Sequence, residues 1–324
     1  MKGRILSGMR PTGALHIGHL SVIQNWVALQ NDYECYFSIV DLHALTTGYE
    51  DHLDYPSLRR EIALDWLSVG IDPQKSAIFV QSQVKEHSEL HLLLSMFTPL
   101  SWLERVPTYK DQIQQLAKQG KDLGTYGFLG YPLLMAADIL LYKASVVPVG
   151  EDQLPHVELC REIARRFNFL YGTVFPEPKD LIGEVPLLPG VDGRKMSKSY
   201  HNAISLTASA EEVKTRVQQM VTDPARLRKD DPGHPEVCIV FKFHKIYTSE
   251  VADIEVNCRA GKVGCVACKR HLAENLEKLI SPFRERRAYW GEPGRVEKVL
   301  EDGAERARIT ASETMKEVRC VMGL

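Results

Sequence analysis

Short apolar, β-like runs alternate with amphipathic helical stretches along the first part of the chain. No other feature restricts the fold as much. The run RILS (Arg4–Ser7) reads as a strand that hands over to a Gly/Pro loop. Residues 15–30 then place Ile17, Leu20, Ile23, Trp26 and Val27 near the 3.6-residue helical period. CYFSIV (Cys35–Val40) reads as a strand, Leu58–Val69 as a helix and SAIFV (Ser76–Val80) as a strand. SVVPV (Ser145–Val149) reads as a further strand, ahead of a helix over His156–Phe167. Such alternation predicts parallel βαβ units, in which ligands collect beyond the carboxyl ends of the strands.

After the segment Leu187–Ser199 the pattern turns helical, with candidates at Ala210–Val221, around Phe241–Tyr247 and at Lys269–Trp290. A last stretch, Arg295–Met322, repeats apolar positions at Val296, Val299, Ala304, Ala307, Ala311, Met315, Val318 and Met322. That is a long amphipathic helix with one stripe to bury, against either domain. The chain therefore reads as an α/β domain followed by a helical one, and its 324 residues suffice for two. At 44% apolar and 25% charged residues the composition is that of a globular protein. No apolar run reaches the roughly 18–20 residues of a membrane span. MKGRILSGMRPTG lacks the apolar core of a secretory signal. The seven cysteines are too few for a disulfide scaffold, and their clustering suggests metal in a reducing compartment. The expected location is cytoplasmic.

Two segments suit phosphate chemistry. In Pro11-Thr-Gly-Ala-Leu-His16-Ile-Gly18-His19 a strand gives way to a helix, whose free N–H groups and dipole favour an anion. Gly18 admits a ligand close to the backbone, and His16 and His19 can donate to phosphate oxygens as charge builds. In Gly193-Arg-Lys195-Met196-Ser197-Lys198-Ser199 two lysines on a glycine-preceded loop suit a mobile clamp on pyrophosphate. A third segment, Tyr131-Pro-Leu-Leu-Met135-Ala-Ala-Asp138-Ile-Leu-Leu-Tyr142, sets one carboxylate in an apolar helix that Pro132 is expected to open. A buried carboxylate needs a donor, and an indole has one polar hydrogen, which can only donate.

HIGH followed by KMSKS resembles the signature pair of class I aminoacyl-tRNA synthetases. MAADILLY, with Gly150-Glu-Asp152-Gln153 after it, resembles the tryptophanyl-tRNA synthetases in particular, and the resemblance spans essentially the whole chain. Tyrosyl enzymes, the nearest relatives, would need a pair of groups to read a phenol. A nucleotidylyltransferase would share HxGH without KMSKS, and a metal-dependent nucleic-acid module would need no intact catalytic set. The resemblance implies a Rossmann-type α/β catalytic domain over 1–199 and a mostly α-helical anticodon-binding domain over 200–290. The helix over 291–324 would pack back on the first.

It further implies a tryptophan–tRNA ligase that uses ATP with Mg²⁺ to make tryptophanyl-adenylate and then charges tRNA(Trp). It implies a homodimer, with no membrane or DNA as partner. His16 and His19 would stabilise the α-phosphate, and Lys195 and Lys198 the departing pyrophosphate. Met9, Gly18, Lys110, Asp152, Met196 and Ser197 would meet ATP. Asp138 would accept the indole N–H, Tyr131 and Gln153 would hold the amino group, and Met135 would pack on the ring. His43 and Leu6 complete the expected pocket; many bacterial members carry an aromatic residue at the position of Leu6.

Cys258, Cys265 and Cys268 form C-x6-C-x2-C, and nineteen residues separate Cys238 from the first of them. His234, His244 and His271 are alternative fourth ligands. Four thiolates suit zinc or a [4Fe–4S] cluster, and spacing does not choose. The resemblance favours [4Fe–4S], since a subset of bacterial members carries it in the anticodon-binding domain. Between Val256 and Arg295 nine Lys/Arg face four Asp/Glu, although the whole chain carries a net charge of −2. That excess suits a phosphate backbone, with Lys262, Lys269 and Arg270 as candidate RNA contacts.

Overall fold

A computed structural model describes residues 1–107, 109, 124–183, 188–196 and 200–324. Among these the strands are β1 (Arg4–Met9), β2 (Glu34–Ile39), β3 (Ser76–Val80), β4 (Val146–Val149) and β5 (Lys179–Ile182). The helices begin with α1 (Leu20–Leu29), α2 (Asp41–Gly48), α3 (Tyr55–Val69), α4 (Glu86–Ser95), α5 (Leu100–Glu104), α6 (Tyr126–Leu141) and α7 (Leu154–Tyr171). They continue with α8 (Ala210–Gln219), α9 (Ile239–Tyr247), α10 (Val251–Arg259), α11 (Cys265–Trp290) and α12 (Arg295–Met322). The chain divides into two compact units, one of Met1–Gly13, Asn25–Glu184 and Gly291–Leu324, the other of Ala14–Gln24 and Val185–Trp290.

The first unit holds a five-stranded sheet in the order β3-β2-β1-β4-β5, parallel throughout. Parallel strands joined by helical crossovers are covered on both faces, so they read as continuous apolar runs. Accordingly every residue of SAIFV in β3 is buried, as are Cys35 to Ile39 in β2. β5 was invisible to that rule. Its sequence KDLI is partly exposed along its length, and pairing with β4 makes it a strand.

β3 lies at the edge of the sheet, and α12 runs along its backbone. An added Cβ on Gly303 would stand 1.9 Å from the Ile78 carbonyl oxygen. One turn on, Arg306 donates to the carbonyls of Pro73 and Ser76, each at 2.6 Å. The terminal helix thus covers a strand edge that would otherwise offer unpaired backbone groups. Its apolar stripe, including Ala304, Ala307, Ala311, Met315 and Val318, is buried there.

α6 departs from the expected start. It begins at Tyr126, where the Thr125 hydroxyl caps it by accepting the Phe128 N–H at 3.2 Å. Pro132 is therefore inside the helix, not at its opening. With no N–H, it leaves the carbonyl of Phe128 without its usual intrahelical partner.

In the second unit α8 and α9 pack on α11, burying Val213, Val217, Phe243, Leu272, Leu276 and Ile280. Ser209 and Glu212 form a reciprocal capping box that starts α8. No helix among the described residues is long and apolar enough to cross a membrane.

Gly303→Ala should destabilise the protein by about 2–3 kcal/mol despite the better helix propensity of alanine, because the strand backbone cannot yield to a new methyl. Urea denaturation measures this, and an unchanged midpoint would refute the close packing of α12 on β3.

Candidate active site and cysteine cluster

In the first unit the residues expected at the site gather where strands stop. Met9 ends β1, and Leu6 lies buried further back on that strand. His43 sits in the first turn of α2, just after β2. Asp152 and Gln153 occupy the 3₁₀ turn Glu151–Gln153 that follows β4, where the Gln153 amide donates to the Asp152 carboxylate at 2.7 Å. α6 contributes Tyr131, Met135 and Asp138; Met135 packs against the core, and the Tyr131 hydroxyl lies 3.3 Å from His156 Nε2.

Asp138 is only 3% exposed, so the single carboxylate of an apolar helix is buried, not turned to solvent. It is fully served with donors. Gln81 Nε2 reaches both oxygens at 2.8 and 2.9 Å, His87 Nδ1 reaches Oδ1 at 2.6 Å and His43 Nε2 reaches Oδ2 at 3.0 Å. Burial alone would raise its pKa. His87 first and His43 second more than offset this, holding the carboxyl well below the usual carboxylate range. Gln81 and His87 were not anticipated. Gln81 follows the strand SAIFV directly, where polar residues meet ligands in such sheets. His87 belongs to the pair HSELH, in which His87 and His91 share a helix face.

In the second unit Ile17–His19 forms a 3₁₀ turn before α1, in place of an unbroken helix from residue 15. The His16 N–H donates to His19 Nδ1 at 3.2 Å, so a neutral His19 carries its proton on Nε2. The two rings stand 3.8 Å apart. An added Cβ at Gly18 would stand 3.0 Å from the His16 ring and 3.4 Å from Met196 Sδ. Any side chain here would crowd the histidine laid over it, and Met196 of KMSKS meets HIGH there within one unit.

Backbone bonds from Ile17 to Ile204 at 2.9 Å and from Leu206 to Leu15 at 3.1 Å reinforce that junction. Lys195 bridges Pro189, and the buried Asn202 donates to the Lys195 carbonyl and to Asp192. Asn202 was also unanticipated, since nothing in the motif marks it. Lys110, Ser197 and Lys198 lie outside the described residues.

Cys238 stands at the start of α9, Cys258 near the end of α10, and Cys265 and Cys268 in the first turn of α11. Burial pushes the Cys268 thiol up to about 12, and the neighbouring Cys238, Cys258 and Cys265 add to the rise. The four thiols are therefore electrostatic neighbours. Arg226 approaches Cys265 Sγ at 3.9 Å and counters the rise at Cys258 and Cys268. Of the histidine alternatives, His244 Nε2 lies 3.4 Å from Cys268 Sγ, whereas His234 turns to Asp223 and His271 to Asn275. Among the described residues no three His, Cys, Asp or Glu side chains form a group fit for one metal ion. Lys262, Lys269 and Arg270 lie on or just before α11, and Lys269 donates to the Gln218 carbonyl at 2.7 Å.

Fold and signatures together define a nucleotide-dependent synthetase of the Rossmann type. A family model described as tRNA synthetases class I (W and Y) matches residues 2–281, and the chain belongs to that family. It is 51% identical to a tryptophan–tRNA ligase of Thermotoga maritima, over 99% of both chains. It is 46% identical to the corresponding ligase of Aquifex aeolicus, covering 99% of this chain and all of that one. Among solved structures, the tryptophanyl-tRNA synthetase of Campylobacter jejuni, complexed with ADP and tryptophan, matches with a TM-score of 0.87. That match is 36% identical and covers 99% of this chain.

His156, buried beside the site, has its pKa pushed down to about 4, by burial first and by His43 second, with Asp152 opposing. Its ordinary value is 6.5, so between the two the unfolded chain binds the extra proton and stability rises with pH. In His156→Gln, urea midpoints measured across that window should rise less steeply than in the wild type. Identical slopes would refute a neutral, buried His156.

Proposed function

We propose that the protein is a tryptophan–tRNA ligase: it activates L-tryptophan with ATP and transfers the aminoacyl group to tRNA(Trp). The observation that carries the substrate is Asp138, a buried acceptor held ionised in an otherwise apolar helix. A carboxylate offers about four lone-pair directions: Gln81 takes one on each oxygen, His87 a second on Oδ1, and the part-exposed His43 the last, on Oδ2, which an incoming donor must take over. The indole N–H is such a donor, whereas a phenol would ask for a donor as well. Leu6, Met135 and His43 line the ring, and Tyr131 with Gln153 holds the ammonium group.

In the first step a tryptophan carboxylate oxygen attacks the α-phosphorus of ATP. A bond forms there as the bond to the bridging oxygen breaks, and pyrophosphate leaves. Mg²⁺ accompanying the nucleotide would help to neutralise the phosphate charge. No enzyme nucleophile takes part, so catalysis is the placing of donors where negative charge grows. His19, whose neutral ring carries its proton on Nε2, and His16 meet the α-phosphate. Lys195 and Lys198 meet the leaving pyrophosphate, with Met196 and Ser197 beside them. Met9, Gly18, Lys110 and Asp152 complete the ATP contacts. In the second step a hydroxyl of the terminal tRNA ribose attacks the adenylate carbonyl, and AMP departs.

The helical unit binds the anticodon, using the basic stretch with Lys262, Lys269 and Arg270. The enzyme works in the cytoplasm as a homodimer; exposed Leu92, Met96 and Leu100 offer apolar surface for pairing. Although the described side chains form no ready metal-holding group, Cys238, Cys258, Cys265 and Cys268 would be the ligands of a [4Fe–4S] cluster, with zinc the alternative. Backbone N–H groups of Val240 and Phe241 aimed at Cys238, together with Arg226 among the other thiols, suit thiolate ligands. Such a cluster would tie the loop before α11 to the start of α9; the adenylate chemistry does not pass through it.

Asp138→Asn should raise the KM for tryptophan in ATP–pyrophosphate exchange by about 10- to 100-fold, as expected for a lost charged hydrogen bond. The KM for ATP should stay within about twofold. Equal loss of both substrates, or exchange driven by tyrosine, would overturn the assignment. For the cysteines, anaerobically purified protein should be brown, absorb at roughly 400 nm and bleach with dithionite. Colourless protein with stoichiometric zinc would overturn the cluster.

A further inference from the structure

The donors on Asp138 divide by position. His43 retains some exposure on its side chain, at 12%, while Gln81 and His87 are fully buried and lie behind the carboxylate. Neither can touch a ligand that Asp138 touches. Both are themselves fixed. The Leu42 N–H donates to Gln81 Oε1 at 3.1 Å, so the other end of that amide, Nε2, must face the carboxylate. The next residue, Ser82, binds the buried Asp41 through its N–H at 3.0 Å and its hydroxyl at 2.6 Å, and Arg59 pairs with Asp41 at 2.6 Å.

His87 Nε2 lies 2.8 Å from the hydroxyl of Tyr142, which is also fully buried. An ionised carboxylate only accepts, so Nδ1 of His87 carries a proton, and in the neutral ring Nε2 accepts from Tyr142. Every proton of the chain Tyr142–His87–Asp138 thus points toward the carboxylate. Behind it Tyr142 stacks on Tyr36 at 4.5 Å, and the Tyr36 hydroxyl is held by Glu34 and Thr310.

We infer that Gln81 and His87 are the positioning residues that make Asp138 an oriented, charged acceptor whose Oδ2 is turned to the part-exposed His43, and that they thereby set the preference for a ring bearing an N–H. This rests on the reading of Asp138 as the indole acceptor. Without them the buried carboxyl turns, or takes up a proton, and ceases to distinguish an indole from a ring of the same shape that lacks the donor.

The test compares kcat/KM in ATP–pyrophosphate exchange for tryptophan and for β-(3-benzothienyl)alanine, in which sulfur replaces the ring N–H. The wild type should prefer tryptophan by well over tenfold. Gln81→Met and His87→Leu should each cut that preference about tenfold or more, with the KM for ATP unchanged. His87→Asn, whose amide can donate in place of Nδ1, should keep most of it.

A wild type that accepts both substrates equally would sink the reading of Asp138 and this inference with it. A selective wild type whose Gln81→Met and His87→Leu variants stay equally selective would sink the inference alone. So would loss of ATP and tryptophan use in parallel, the mark of a merely structural role. Circular dichroism checks folding; should His87→Leu fail to fold, Gln81→Met against His87→Asn decides.

Discussion

Parallel pairing is the constraint on which the first unit depends. In the order β3-β2-β1-β4-β5 every strand points the same way, so the chain leaves each strand at the same rim. The inner run of β2 and all of β3 are buried on both faces, which leaves little room there for chemistry. Many of the residues expected to meet ligands therefore lie at or just past their ends: Met9 on β1, His43 after β2, Asp152 and Gln153 after β4, with Gln81 after β3 beside them. The outer edge of β3 must also be closed, which the terminal helix does through Gly303 and Arg306. The fold and the site are two consequences of one pairing rule.

Asp138 shows how that rim is held together. An isolated carboxylate in an apolar helix is strongly disfavoured. Here its donors come from α2, from the turn after β3 and from α4, three segments that the sheet alone would not lock to α6. The hydrogen bonds that make the carboxylate tolerable also join the elements around it. In the proposed reading, specificity and packing then rest on the same atoms.

Much of this was legible in the sequence, for identifiable reasons. Strands buried on both faces announce themselves as unbroken apolar runs, and HIGH and KMSKS are contiguous in the chain. The stripe of Arg295–Met322 survived because 3.6-residue periodicity over eight turns is hard to mistake. β5 was missed because a short, half-exposed edge strand has no such run. The start of α6 was misread because Pro132 was taken as an opening residue, when the cap at Thr125 governs where the helix begins. Gln81, His87 and Arg226 escaped because each acts on a residue distant in sequence, and Asn202, though near its partners, is like them a lone polar residue that carries no sign of the partner that folding supplies.

The second unit adds a different lesson. HIGH follows β1 in the chain, yet it belongs with the KMSKS loop: Met196 lies against Gly18, and backbone bonds join residues 15–17 to 204–206. In the proposed reaction the groups that meet the α-phosphate and those that meet the leaving pyrophosphate are thus carried by one packed body. Charge moves between those two phosphates as the bond breaks, so their donors are most effective when their spacing is preset. Local backbone bonding provides that spacing. The tautomer of His19 is fixed in the same way, by its neighbour's N–H, before any nucleotide arrives.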